Sequence, residues 1–242
     1  MTGRLAGRSV LISGGARGQG AAHGRRLAEE GASVLLGDVL EGEGRSHAET
    51  LRADGLDVHF LKLDVTSPAD WTASVAEAET RFGRLDVLVN NPGIVRIAPV
   101  AEETDDGWAR TMSVNATGVF YGMRAAIPAI RRAGGGSIIN VASIYGPVGA
   151  PGYVAYTASK GAVIAMTKVA ALEHAADGIR VNTICPGPVR SPMRRRKATP
   201  PSTSPPCAAA PNPRKSPPPS PSSPPTTPPT SPAPNSPSTA GT

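Results

Sequence analysis

The 242-residue chain carries 25 Lys and Arg against 19 Asp and Glu, a formal net charge of +6. Six of the basic residues lie in residues 194–242, which contain no acidic residue, so the preceding part is balanced. One basic cluster, RRRK at residues 194–197, without aromatic side chains to stack on bases, is weak support for a nucleic-acid partner, and none is predicted. No apolar stretch reaches membrane-spanning length, and the start MTGRLAGRS lacks a signal-peptide core, so we expect a cytoplasmic protein with no membrane segment.

The first elements in chain order form a βαβ unit. RSVLISGGARGQGAAHGRRLAEEGASVLLGD predicts an apolar strand, a glycine-rich turn, a helix of about a dozen residues and a second strand. Gly14, Gly18 and Gly20 lie where the first strand turns into the helix, where bare backbone can approach a pyrophosphate and helix amides can bind it. Asp38 closes the second strand 18 residues after Gly20, near the offset at which an acid meets the adenosine ribose hydroxyls.

Strands and helices then alternate to about residue 193. Long helices are predicted around Trp108 to Arg132 and Tyr153 to Ala176. The alternation predicts an α/β fold, a single domain with a doubly wound parallel sheet. Its six strands are predicted near Val10, Val34, Val58, Val87, Ile138 and Val181.

The segment SIYGPVGAPGYVAYTASK contains Ser143, Tyr156 and Lys160. Tyr156 and Lys160 are four residues apart, which on a helix places an ammonium beside a phenol. Lowering a phenol pKa from about 10 to about 7 requires roughly 4 kcal/mol, which one charge pair at about 4 Å can supply. Tyr156 is therefore a candidate acid/base for moving a proton beside a hydride.

Together these motifs resemble the short-chain dehydrogenase/reductase family, in its single-domain Rossmann branch. Within that family the chain is most similar to NAD-dependent hydroxysteroid and secondary-alcohol dehydrogenases. The resemblance covers residues 1 to about 193. Its motifs, in order, are SGGARGQG (13–20), Asp38, LDVT (63–66), NNPG (90–93), Asn115 in VNATG, Ser143, Tyr156, Lys160 and PGPVRS (186–191).

The resemblance implies four catalytic roles. Tyr156 would donate or accept the proton, and Ser143 would hold the substrate oxygen. Lys160 would lower the Tyr156 pKa and bind the nicotinamide ribose, and Asn115 would anchor a proton-relay water. The residues alone favour other interpretations, in which Ser143 is a polar residue ending a strand and Asn115 a satisfied polar residue inside a helix; the resemblance reverses that preference.

The resemblance also implies cofactor contacts beyond the glycine-rich turn. Asp64 and Val65 would contact the adenine, and Asn91 would contact its ribose. Val189 and Ser191 would contact the carboxamide of the nicotinamide. One motif departs from the family, because Pro92 stands where relatives usually carry alanine and lacks an amide donor.

The cofactor is predicted to be NAD. The Asp38 carboxylate can accept hydrogen bonds from a free 2′-hydroxyl but would repel a 2′-phosphate. Arg17 in the glycine-rich turn could instead meet a 2′-phosphate, but beside Asp38 we expect it to pair with that acid or lie along the adenosine. An NADP-linked oxoacyl reductase is disfavoured for the same reason.

Composition changes abruptly at Met193. Residues 194–242 hold 17 of the 26 prolines and no large apolar residue, so we predict a disordered tail after an incomplete domain of residues 1–193. The family's final strand and substrate-covering segment would then be missing, leaving the sixth strand as an exposed edge. The change favours an out-of-frame reading of a GC-rich gene; the alternative is a genuine proline-rich linker for SH3-like or WW-like domains.

Two functions remain open. The first is an NAD-dependent oxidoreductase that interconverts a secondary alcohol and a ketone, with reduced activity. The second is a truncated, non-catalytic NAD-binding remnant with a proline-rich interaction tail. No metal is predicted, because the four histidines lack metal spacing. Relatives pair through their two long helices, which implies a homodimer.

Overall fold

The computed structural model describes residues 3–189. Within this range six strands alternate with six α-helices. The strands are β1 (Ser9–Ser13), β2 (Ser33–Asp38), β3 (Val58–Lys62), β4 (Val87–Asn90), β5 (Gly136–Val141) and β6 (Ile179–Ile184). The helices are α1 (Gly18–Glu29), α2 (Glu41–Ala53), α3 (Pro68–Phe82), α4 (Asp105–Met112), α5 (Gly118–Arg132) and α6 (Val154–Glu173).

All neighbouring strands pair in parallel, in the order β3-β2-β1-β4-β5-β6. This confirms the predicted doubly wound Rossmann fold, and every predicted strand position falls inside a strand. The chain reverses its direction of winding between β1 and β4, where Ser13 lies opposite Asn90. In open sheets of this kind, ligands bind outside the carboxyl ends of the strands at that point.

Buried side chains on both faces fix the sheet between two helical layers. All five residues of β1 are buried, and successive ones alternate between the layers. Leu11 belongs to the core beneath α3, α5 and α6, whereas Val10 and Ile12 belong to the core beneath α1 and α2. Trp71 of α3 is fully buried in the first core.

The helix predicted around Trp108 to Arg132 has a more detailed structure. It consists of α4, a π-helical turn at Ser113–Thr117, and α5. Such turns are rare and occur frequently at functional sites. The second predicted long helix is α6.

Strand β6 lies at one edge of the sheet formed by the described residues. The predicted tail at residues 194–242, its disorder and its origin lie outside the described residues and stay predictions. None of the helices within residues 3–189 combines the length and apolarity needed to cross a bilayer.

Candidate active site

The glycine-rich turn needs glycine for two separate reasons. Gly14 and Gly18 have φ angles of 67° and 61°, in the left-handed region that side chains disfavour. Gly20 packs so closely that a Cβ atom there would lie 1.9 Å from the Gly14 carbonyl oxygen. The three predicted glycines therefore lie together and leave bare backbone at the carboxyl end of β1.

The N-terminus of α1 is open to an anion. The residue preceding α1, Arg17, has an extended backbone and makes no side-chain cap, and the first turn carries no acidic residue. By contrast, Ser67 caps α3 by accepting from the Asp70 amide, and Asp70 lies in that first turn. Since uncapped N-terminal amides carry partial positive charge, α1 fits a phosphate group.

Asp38 is oriented by backbone amides. Its two carboxylate oxygens accept hydrogen bonds from Ala16 N and Leu40 N, each at 3.1 Å. Arg17 does not pair with Asp38, as one expectation had it; its Nη1 lies 3.4 Å from an oxygen of Glu43. The physical reason is that the two amides already bind the Asp38 carboxylate, while Glu43 is exposed beside Arg17.

Asn91, Asp64 and Val65 also lie after strands at this edge. Asn91 Nδ2 donates to Gly14 O at 3.1 Å, so this side chain braces the glycine-rich turn. The Asp64 carboxylate accepts from the amide and hydroxyl of Thr66 at 2.9 and 2.7 Å. The Val65 carbonyl accepts from Trp71 Nε1 at 3.0 Å, which ties this loop to the core.

Lys160 is buried where β4 and β5 end, with 3% of its surface exposed. Its ammonium donates to Pro92 O at 3.1 Å and to Val141 O at 2.8 Å, and it lies 6.0 Å from the centre of the Tyr156 ring. Pro92, which stands where relatives usually carry alanine, thus binds Lys160 through its carbonyl oxygen. This contact does not require the amide hydrogen that proline lacks. Burial lowers the pKa of Lys160 to about 8.

Tyr156 lies at the first turn of α6, near Ser143 after β5. Burial raises the pKa of Tyr156, and interaction with the Ser143 hydroxyl opposes that rise. The half-buried rings of Tyr153 and Tyr145 add to the rise. In the protein without cofactor the pKa of Tyr156 is therefore raised, contrary to the lowering expected from Lys160, because the buried phenolate would lose more hydration than its neighbours replace.

Asn115 lies in the π-helical turn and is fully buried. Its Oδ1 accepts from Ile94 N at 2.8 Å, and its Nδ2 donates to Ile94 O at 2.9 Å and to Ser159 Oγ at 3.1 Å. The side-chain amide of Asn115 is thus fully hydrogen-bonded to protein groups. The same bonds fix the π turn beside the first turns of α6.

Sequence reasoning missed two features of this site. Ser159 joins Asn115 to α6, and only its place within the motif TASK could have suggested it. The second feature is Tyr153, whose ring centre lies 6.4 Å from that of Tyr156 and 5.4 Å from that of Tyr145. Aromatic surface therefore lies beside the candidate acid/base.

The remaining predicted cofactor contacts lie after β6. This segment approaches β5, because Ile144 N donates to Pro186 O at 3.2 Å. Val189 is exposed at the end of the described range. Ser191 lies outside the described residues. Within residues 3–189, no group of three or more His, Cys, Asp or Glu side chains is placed to hold a metal ion.

The residues present fit a nicotinamide dinucleotide. The glycine-rich turn leaves room that a Cβ would fill, and the α1 amides lie uncapped beside it. Asp38 is the last residue of β2, and the Lys160 ammonium lies at the ends of β4 and β5.

Comparisons with known proteins agree with this geometry. The short chain dehydrogenase family profile matches residues 8–201. The 3-alpha-(or 20-beta)-hydroxysteroid dehydrogenase of Mycobacterium bovis is 50% identical over 193 residues, covering 80% of this chain and 73% of that protein. The cyclopentanol dehydrogenase of Comamonas sp. is 44% identical over 194 residues, covering 80% and 78%.

Two further proteins extend the comparison. The trans-4-hydroxycyclohexanecarboxylate dehydrogenase of Sinomonas cyclohexanicum is 47% identical over 196 residues, covering 78% of this chain and 75% of that protein. Among solved structures, the crystal structure of gox2181 matches with a TM-score of 0.77 at 30% identity, covering 79% of this chain and 76% of that one.

Proposed function

The chain belongs to the short-chain dehydrogenase family, and from this premise we propose that it interconverts a secondary alcohol and a ketone with NAD. Family and relatives make it an oxidoreductase that acts on alcohol or carbonyl groups of a small molecule with a nicotinamide cofactor. The proposal adds the choice of NAD, the roles of individual residues and the class of alcohol.

One observation carries the proposal. The Lys160 ammonium is buried between carbonyls at the ends of β4 and β5 and lies 6.0 Å from the Tyr156 ring. This places a cation and a phenol beside the point where the sheet reverses its winding, next to the glycine-rich turn. Burial of a cation costs free energy, and a cation so placed beside an acid/base is typical of a functional site.

Tyr156 acts as the proton donor in ketone reduction. Its raised pKa keeps the phenol protonated near neutral pH, so the proton is available to the carbonyl oxygen. The Ser143 hydroxyl holds that oxygen by a hydrogen bond. NAD, when bound, supplies the hydride acceptor, or in its reduced form the donor. In alcohol oxidation the positive charge of Lys160 favours the phenolate that takes up the proton.

Different residues bind the charged and the neutral groups of the cofactor. Gly14, Gly18, Gly20 and the first α1 amides hold the pyrophosphate, while Lys160 holds the nicotinamide ribose. The Asp38 carboxylate, fixed by two amides, accepts from the adenosine ribose hydroxyls and repels a 2′-phosphate. Because Arg17 pairs with Glu43, the cation that could attract that phosphate is partly neutralised. Both features favour NAD.

Further contacts are proposed on the same basis. Asp64 and Val65 bind the adenine, Asn91 lies near its ribose, and Val189 and Ser191 bind the carboxamide. Asn115 anchors a relay water through its backbone, because protein groups already bind its side-chain amide. Its backbone lies in the π turn, where the α-helical hydrogen-bonding pattern is interrupted.

We propose an alicyclic secondary alcohol as substrate. The names of the hydroxysteroid, cyclopentanol and hydroxycyclohexanecarboxylate dehydrogenases each specify a hydroxyl on a ring. Tyr145 and Tyr153 supply aromatic surface beside Tyr156, which suits an apolar ring.

A homodimer through α5 and α6 is also proposed. Phe120 of α5 is 42% exposed, with the Arg124 guanidinium 5.1 Å from its ring centre, and Leu172 of α6 is 83% exposed. Large exposed apolar side chains on adjoining helices fit a protein contact. Sedimentation of wild type and Phe120→Glu would test it; a wild-type monomer at micromolar concentration would refute it.

The proposed function is tested by binding and turnover in the full chain. Thermal shift with NAD and NADP should show stabilisation by NAD that exceeds NADP, and Asp38→Ala should reduce that preference by roughly tenfold in Kd, about 1.4 kcal/mol. NAD-dependent oxidation of cyclopentanol should occur in wild type. Tyr156→Phe should abolish it while retaining the NAD-induced thermal shift.

Three results would count against the proposal. A wild-type chain that NAD stabilises but that shows no turnover would favour the non-catalytic alternative, and a chain that NAD does not stabilise would contradict NAD binding in both. Turnover that persists in Tyr156→Phe would remove the assigned acid/base.

A further inference from the structure

Ser159 occupies a position between two proposed catalytic residues. It is fully buried in α6, three residues after Tyr156. Its hydroxyl donates to the Tyr156 carbonyl at 2.7 Å and accepts from Asn115 Nδ2 at 3.1 Å. A hydroxyl can donate and accept at once, and here both capacities are used by groups that belong to the site.

The other bonds of Asn115 extend this connection to the loop after β4. Its amide group accepts from and donates to the backbone of Ile94, at 2.8 and 2.9 Å. Two residues earlier in the same loop, Pro92 O accepts from the Lys160 ammonium. A continuous set of buried hydrogen bonds thus joins the loop, the π turn and the backbone of Tyr156.

Removal of the hydroxyl would affect Asn115 more than α6. The α6 backbone keeps its helical hydrogen bonds, whereas Asn115 Nδ2 would lose one of its two acceptors. A buried donor without a partner is unfavourable, so the Asn115 amide or the π turn would shift to recover an acceptor. Such a shift would move Asn115 relative to the Tyr156 phenol.

We propose that Ser159 is a positioning residue: its hydroxyl fixes the Asn115 amide against the first turn of α6. It thereby keeps the proton path, from the relay water at Asn115 to Tyr156, correctly aligned. The inference rests on the proposed function. It concerns the chemical step, because Ser159 touches neither the glycine-rich turn nor Asp38.

Ser159→Ala in the full chain should lower kcat for cyclopentanol oxidation by roughly tenfold, while KM for NAD changes less than twofold, because a misplaced proton path affects the reaction and leaves binding intact. In the Asn115→Ala background, Ser159→Ala should add little further loss, because the two residues act through one bond.

Ser74→Ala is the matched control. Ser74 is also fully buried on a helix, and its hydroxyl donates to the Asp70 carbonyl at 2.7 Å, in a different helix from Tyr156 and Ser159. Both variants lose one intrahelical bond, and Ser159→Ala also removes an acceptor from Asn115 Nδ2, so it should lose at least as much thermal stability as Ser74→Ala. Only Ser159→Ala should lower kcat, and an equal fall of kcat in Ser74→Ala would overturn the positioning role.

A second readout needs no cofactor or turnover. Hydrogen exchange of the Ile94 amide, which donates to Asn115 Oδ1, should be several-fold faster in Ser159→Ala than in wild type and unchanged in Ser74→Ala. Unchanged Ile94 exchange in Ser159→Ala would overturn the inference. If wild type lacks turnover, the proposed function fails; the Ile94 exchange then still decides whether Ser159 holds Asn115.

Discussion

Comparison of wild type with Lys160→Met measures the free energy that burial of the Lys160 ammonium costs the folded chain. The folded-state pKa of Lys160 is about 8, below its ordinary value of 10.5. Between these values the unfolded chain retains a proton that the folded chain has lost, so a rise in pH stabilises the folded state. The burial cost is fully present below the folded pKa and disappears above the unfolded one.

The two pKa values fix the size of the effect. From pH 7 to pH 10, wild type should gain about 2.5 kcal/mol of unfolding free energy relative to Lys160→Met. The variant also leaves the carbonyls of Pro92 and Val141 without their donor, but that cost does not depend on pH. The change with pH, and not the absolute difference, therefore carries the test.

Urea denaturation of the cofactor-free proteins across this pH range provides the assay. Lys168→Met is the control, because Lys168 is exposed on the same helix and its ammonium keeps its hydration on folding. Its difference from wild type should change much less with pH. A Lys160→Met difference that stays flat, or that changes in the opposite direction, would show that the ammonium is not desolvated and would refute the reasoning.

Three substitutions test the backbone, two of them in the site and one on α2. Gly20→Ala should cost about 1–3 kcal/mol and abolish the NAD-induced thermal shift, because its Cβ would overlap Gly14 O; full retention of both would contradict the turn geometry. Gly42→Ala on α2 has no heavy atom within 4 Å of the new Cβ and should gain about 0.5–1 kcal/mol in urea denaturation. Pro92→Ala retains the carbonyl that accepts from Lys160, so NAD binding should persist, with about 0.4–1 kcal/mol lost through the unfolded chain; loss of binding would show that the ring itself is needed.

Strands β1, β2 and β4 were predictable because each is centred on a continuous apolar run, whereas β6 alternates buried and exposed residues over its first half. A parallel strand covered on both faces has no polar side, and β1 is buried at every residue. The catalytic candidates were predictable because Tyr156 and Lys160 need only helical spacing to share a face, and α6 supplies it. Alternation of strands with helices gave the class of fold, and the order of the strands in the sheet agrees with it.

The π turn was not predictable from local sequence. The segment SVNAT contains no proline or glycine to interrupt a helix, and its irregularity accompanies hydrogen bonds from Asn115 to Ile94, 21 residues earlier in the chain. The pairing of Arg17 with Glu43 was missed for a similar reason: two amides bind the carboxylate of Asp38, and only the folded turn brings them there.

The sequence by itself determined the types of chemical group and their order: glycines after the first strand, an acid at the end of the second, and a serine, tyrosine and lysine near the fifth strand and the helix that follows it. The tertiary structure decided the state of those groups. The acceptors of the Lys160 ammonium come from Val141, 19 residues away, and Pro92, 68 residues away. A pKa depends on burial and on neighbouring dipoles, and both are set by parts of the chain that meet only on folding.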